Sequence, residues 1–263
     1  MAGKDDEYDY LFKGVQNEFA SAQPVRIFVM GANHWREEAD WPLVRARTTR
    51  YFLHSAGDAN GPGSGGTLNL VGPRREKSDR YVYDPRDPVP TLGGPLCCAP
   101  LPSGNGPQDQ RPAEARADVL VYTTPVFTQD TEVTGPVSLD LYVASSAVDT
   151  DFTGMLVDVW PDGFAQNLTS GILRLRYRNL PQQPELAIPG QVYRIGLDLW
   201  ATSNLFRAGH RLRLEISSSN FPRFDRNLNT GEAQARATRI LKATNVIYHD
   251  RAHPSALLLP IVP

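Results

Sequence analysis

Between Pro136 and Arg178 the chain carries the pattern that most restricts its fold. Val137, Leu139, Leu141 and Val143 alternate with Ser138, Asp140 and Tyr142, the period of two expected of a strand with one buried face. After a polar break over 145–151, residues 152–160 are apolar on both faces apart from Asp158, as in a central strand. Trp160-Pro161-Asp162-Gly163-Phe164 then reads as a turn, because proline presets φ at one corner and glycine accepts a positive φ at the next. Beyond it Leu173, Leu175 and Tyr177 alternate with Arg174, Arg176 and Arg178. Three strands with short connections predict an antiparallel unit at the centre of a β-sandwich.

The flanking chain extends this pattern. Strands are expected over 25–31, 48–53, 67–70, 79–83, 119–123, 193–199, 211–216, 247–249 and 256–260, with turn signals between them. That spacing predicts an all-β sandwich or jelly roll. His34 to Pro42 reads as an aromatic-rich connection, and the Ala-rich stretch from Glu232 to Lys242 as a short surface helix. Before the first strand, Tyr8, Leu11, Phe12 and Val15 fall at helical spacing. Gly14 weakens or ends that helix, and a helix so short needs a surface to dock on.

Residues 84–116 differ from the rest. Eight prolines and four glycines fall here, and proline removes the donors a sheet needs. Leu92, Leu96, Cys97 and Cys98 lend the stretch apolar content, so an ordered loop that covers or contacts something is expected.

At 263 residues the chain is long enough for a substantial core, and a net charge of -2 offers no basic field for nucleic acid or anionic lipid. No run approaches the length of a membrane-spanning helix. The start, MAGKDDEYDY, lacks the order of a signal peptide. The only two cysteines are adjacent, so no disulfide framework is expected. A reducing, cytoplasmic setting follows as the expectation.

Signals for chemistry are sparse. Gly-x-Ser-x-Gly, which builds a nucleophile elbow, is absent, as are a dinucleotide fingerprint and a P-loop; no cofactor or metal is expected. His249 and His253 are four apart, but Pro254 disfavours the helix that would align them, and a solvated loop is the preferred reading. His210 reads as a surface residue. Asp149-Thr150-Asp151 offers oxygens suited to calcium or an Asx-type cap between strands, the cap being favoured. Asn167-Leu168-Thr169 matches a glycosylation acceptor, which has meaning only on a secretory route. Cys97 and Cys98 have no neighbouring cation to activate them. Trp35, Trp41, Phe221 and Phe224 could form a sugar-binding platform or belong to the core.

Several motifs also carry a resemblance. SSAVDTDFTGMLVDVWPDG, GILRLRYR, FRAGHRLRLEISSSNFPRFDRNLNTG, PVRIFVMGANHWREEADWP, YVYDPRDPVPTLGG, GPQDQRP and HPSALLLPIVP together resemble the C-terminal β domain of the cocaine esterase / X-Pro dipeptidyl-peptidase family of serine hydrolases, which also includes glutaryl acylases and α-amino-acid ester hydrolases. The resemblance implies a galactose-binding-domain-like jelly roll over 25–263, with 1–24 matching the last helix of an α/β-hydrolase domain. It implies that the nucleophilic serine and its partners lie on that other domain, so no catalytic residue is assigned and no activity is expected of the chain alone. It also implies that the loop after Gly93-Gly94, at Leu96, Cys97 and Cys98, helps wall the acyl pocket. The expected partner is therefore an α/β-hydrolase catalytic domain; self-association through the helical stripe is a second possibility, and neither nucleic acid nor membrane is expected. The alternative is a stand-alone carbohydrate- or small-molecule-binding module.

Overall fold

A computed structural model describes residues 4–61, 63–95, 104–179 and 182–263. Leu96, Cys97 and Cys98 therefore lie outside the described residues. One helix, α1 (Lys4–Lys13), opens the chain. Strands follow as β1 (Val25–Val29), β2 (His34–Glu38), β3 (Arg47–His54), β4 (Gly66–Asn69) and β5 (Asp79–Tyr83). A single helical turn, α2 (Arg111–Glu114), precedes β6 (Leu120–Thr123), β7 (Thr131–Ser145), β8 (Asp151–Val159) and β9 (Ala165–Arg174). The remainder are β10 (Tyr193–Phe206), β11 (Arg211–Ser217), β12 (Ala243–Tyr248) and β13 (Ala256–Val262).

Apart from the β1–β2 ribbon, the described strands join in one hydrogen-bonded path that folds over on itself: β5-β12-β7-β13-β3-β4-β6-β11-β8-β9, with β10 paired to β7. All pairings are antiparallel except β4 with β6. β12 and β13 lie end to end along one edge of β7, meeting residues 142–145 and 132–140 respectively. The sheet forks where one hands over to the other.

Two layers face each other across the core. Gly154 on β8 looks directly at Leu139 of β7 and at Leu197 and Leu199 of β10. Leu139, Leu141, Val143, Ile195 and Leu197 from one layer join Phe152, Leu156, Leu212, Leu214 and Ile216 from the other in one buried cluster. Each such side chain contributes about 1.5–3 kcal/mol when fully buried. The period-two pattern of β7 thus forms the inner face of an all-β sandwich.

Several expectations are corrected. β7 and β8 are neighbours in sequence but not in the sheet: the chain crosses from one layer to the other at the 145–151 break. β8 pairs with β9 and β11 instead. The alternation at 173–178 does not continue a strand. β9 ends at Arg174, and a 3₁₀ turn takes Leu175–Tyr177. Arg174 reaches Asp151 at 2.9 Å and Arg176 reaches Asp149 at 2.7 Å. Both carboxylates are buried and both accept from the Asn227 amide. An unpaired buried carboxylate is costly, so these ion pairs take precedence over the strand pattern. They also engage the Asp149 and Asp151 oxygens that the sequence offers to calcium. His34–Glu38 is a strand, not a loop, and Glu232–Lys242 holds only a 3₁₀ turn at Gln234–Arg236.

The expected apolar helix forms over Lys4–Lys13, carrying Tyr8, Leu11 and Phe12, while Val15 falls beyond its end. Gly14 takes φ +70° and ends the helix, with the Val15 N–H reaching back to the Asp9 carbonyl at 3.0 Å, a left-handed glycine stop. Tyr8 and Phe12 stack on each other, yet nothing buries them: Phe12 is 78% exposed, and Tyr8, Leu11 and Val15 are exposed with it.

Candidate functional site

The Pro-rich segment forms an irregular loop, and its described parts are well anchored. Entering the loop, the Thr91 N–H donates to the Phe221 carbonyl at 2.7 Å, and the Phe221 N–H to the Val89 carbonyl at 2.9 Å. Thr91 Oγ1 donates to Asn220 at 2.6 Å. On the returning limb, the Gln108 N–H donates to the Asn167 side chain at 2.6 Å, and the Gln110 N–H to the Ala165 carbonyl at 2.9 Å. The buried Gln110 amide ties the two limbs together, donating to the Leu92 and Gln108 carbonyls.

Between the limbs is a neck. Gly94 and Gly106 each donate to the other's carbonyl, at 2.8 and 2.9 Å. Gly93, Gly94 and Gly106 all have positive φ, and a Cβ on Gly93 would collide with the Gly106 carbonyl. Only glycine meets both demands. Leu96, Cys97 and Cys98 lie in the span this neck closes. Beside it, Arg223 donates to Ser170 at 2.6 Å and lies over the Phe224 ring. Burial lowers its pKa from the ordinary arginine value.

The rest of the segment covers the outer face of the second layer. Val89, Ala113, Val119 and Val121 form a small buried cluster with Leu92 against it. Under that cover lies a carboxyl pair. Glu114 accepts from Arg213 at 2.5 Å, whereas one oxygen of Glu114 and one of buried Glu215 have no conventional hydrogen-bond donor. Burial, then the neighbouring Glu114 charge and hydrogen bond, push the Glu215 carboxyl well above its ordinary pKa. A proton held between the two carboxyl groups accounts for both oxygens.

A serine, an aspartate and a histidine do meet elsewhere, at the fork of the sheet, and their order decides what they can do. Ser55 Oγ donates to Asp79 Oδ1 at 2.7 Å, and His249 Nε2 lies 2.7 Å from Asp79 Oδ2. The carboxylate stands in the middle. Acyl transfer needs the imidazole in the middle, in contact with the hydroxyl it deprotonates. Asp79 also accepts from the Tyr122 hydroxyl at 2.7 Å and the Ala59 N–H at 3.0 Å. Burial opposes its charge, but these donors and His249 outweigh that and hold its pKa below the ordinary value. His249 is itself buried, between Asp79 and Glu76. The penalty of burial on the imidazolium is outweighed by the two carboxylates, so its pKa is raised. This is a structural ion cluster.

The remaining histidine expectations also change. His249 is not in a solvated loop, and His253 serves a different carboxylate, Asp250, at 3.2 Å. His210 is not a free surface residue: its Nδ1 lies 2.8 Å from Asp158. The aromatic candidates separate. Trp35 sits on the β1–β2 ribbon against Phe28 and Arg26, whereas Phe221 and Phe224 sit in the loop after β11 under Arg226 and Arg223. Among the described residues no helix is long and apolar enough to cross a membrane.

Residues 17–258 match the family described as the X-Pro dipeptidyl-peptidase C-terminal non-catalytic domain. The chain is 48% identical to the cocaine esterase of Rhodococcus sp. (strain MB1 Bresler), over 97% of its own length but 44% of that esterase. Among solved structures, an aminopeptidase from the marine sediment archaeon Thaumarchaeota archaeon superposes with a TM-score of 0.85 at 27% identity, covering 97% of this chain and 43% of that one. An α-amino acid ester hydrolase superposes with a TM-score of 0.83, again at 27% identity and with the same two coverages. The chain thus spans less than half the length of each of these relatives.

Proposed function

The chain belongs to the family of X-Pro dipeptidyl-peptidase C-terminal non-catalytic domains, and from that premise we propose that it is the accessory β domain of a serine acyl hydrolase. Residues 25–263 form the domain proper, and 1–24 are a connecting element that rests on the catalytic α/β-hydrolase domain. The loop closed by Gly94 and Gly106 presents Leu96, Cys97 and Cys98 as part of the acyl-pocket wall. The chemistry resides on the partner; this domain shapes the pocket and stabilises the assembly.

One observation carries the reading. Tyr8, Leu11 and Phe12 on α1, with Val15 just past its Gly14 stop, are all left exposed. An apolar helical face is stable when something covers it, and the family supplies a catalytic domain as the cover. The loop limbs support the reading too: a wall that sets selectivity must be held on rigid elements, and both limbs are tied to β9 and to the 219–223 segment.

The test is assembly in trans. The Rhodococcus esterase, expressed without the 44% that this chain matches, is titrated with this chain and the complex sized by sedimentation. The wild-type chain is expected to form a complex, and Phe12→Asp to weaken it at least tenfold without altering the chain's own melting. Absence of any complex, or equal binding by Phe12→Asp, contradicts the docking role of α1.

A further inference from the structure

At the fork of the sheet, the 70–76 loop after β4 and the 250–252 turn after β12 wall an open cleft of about 810 Å³. The two walls are locked to each other: the Arg251 N–H donates to the Arg74 carbonyl at 2.7 Å. Arg74, Arg75 and Arg251 all line the cleft and all are exposed. Among the described residues their guanidinium groups have no ion-pair or hydrogen-bond partner. By contrast, Arg36, Arg45, Arg116, Arg174, Arg176 and Arg194 each hold a carboxylate.

Two acids also line the cleft, and both are engaged elsewhere. Glu76 is turned inward, 2.8 Å from His54 Nδ1 and 3.4 Å from His249 Nδ1. Asp250 accepts from the Ala252 and His253 N–H groups and faces the His253 ring. Three cations therefore line one opening, and neither lining carboxylate is paired with any of them. The planar guanidinium fork matches an oxyanion with two parallel hydrogen bonds.

We propose that this cleft is a binding site for a small, multiply charged oxyanion of the phosphate-ester class, held by Arg74, Arg75 and Arg251. The proposal stands independently of the accessory-domain reading. It is tested by titrating the full chain with inorganic pyrophosphate in low-salt buffer by calorimetry. Saturable one-to-one binding is expected, weakened at least tenfold by 0.5 M salt because exposed charges are screened. Each of Arg74→Gln, Arg75→Gln and Arg251→Gln should weaken binding about threefold to tenfold, and the triple variant should abolish it. Arg47→Gln, an exposed arginine on β3 outside the cleft, should bind as the wild type does. No saturable binding, or undiminished binding by the triple variant, overturns the proposal. So does an octaglutamate peptide that binds through the three arginines when pyrophosphate does not, which would assign the cleft to an acidic polypeptide.

Discussion

Gly94 and Gly106 hold each other by a reciprocal pair of backbone hydrogen bonds, 2.8 and 2.9 Å long, across the base of the loop that contains Leu96, Cys97 and Cys98. The geometry explains the glycines: left-handed φ at each, and no room beside Gly93 for a side chain. Gly93→Ala is expected to destabilise the neck by about 1–3 kcal/mol, the usual cost of a non-glycine residue held in that conformation. Urea unfolding of the variant reads the loss directly. Unchanged stability would mean that the neck adopts another geometry.

The Asp79–His249 cluster gives stability a defined pH window. Asp79 and Glu76 have lowered pKa values, so their contribution is complete above the ordinary carboxylate values of 3.8 and 4.5 and is lost as pH falls through the folded values below those. His249 is raised above 6.5, so its contribution is complete below 6.5 and is lost as pH rises through the higher folded value. This cluster favours the folded state most between about pH 4.5 and 6.5. Asp79→Asn leaves a buried imidazole short of its main counter-charge and should cost about 3–5 kcal/mol at pH 6, with a smaller difference from wild type at pH 9. Melting curves across pH 4–9 measure both.

Glu215 works with the opposite sign from Asp79. Its carboxyl is raised well above 4.5 by burial and by Glu114. Its contribution is therefore complete below 4.5 and is lost as pH rises through the folded value. Glu215→Gln keeps the shape and removes the ionisation, so the variant should melt as the wild type does at pH 4 and higher than it at pH 8.5. A variant less stable at pH 8.5 would show that a charged Glu215 is needed under the loop.

What the sequence made legible follows from the physics of each segment. β5 and β10 alternate cleanly because one face meets the core and the other meets water, and β11 alternates in residue type although the Pro-rich segment covers its outer face, so all three positions were readable. Period two reports the face, not the neighbour, so the crossing between β7 and β8 was hidden. At 173–178 the same alternation misled: Arg174 and Arg176 are fixed by Asp149 and Asp151, which lie more than twenty residues earlier. β2, HWREE, has no apolar alternation. It is held by pairing with β1 and by Arg36 on Glu132, 96 residues away. His249 looked like a loop residue because Pro254 follows closely, while its partners Asp79 and Glu76 are distant in sequence. For the candidate loop, the glycine pair and apolar content were readable, but the limbs' ties to β9 and to 219–223 are long-range contacts that no local pattern encodes.

The most direct test replaces the 44% of the Rhodococcus cocaine esterase that this chain matches with this chain and measures kcat/KM on a series of acyl esters. This chain alone is expected to turn over none of them, and the chimaera to hydrolyse them with an altered preference for acyl size. Leu96→Ala in the chimaera should shift that preference further, by about 1–3 kcal/mol in relative kcat/KM for the largest acyl groups. A well-folded chimaera without esterase activity, or hydrolysis by this chain alone that Ser55→Ala or His249→Ala abolishes, would contradict an accessory role.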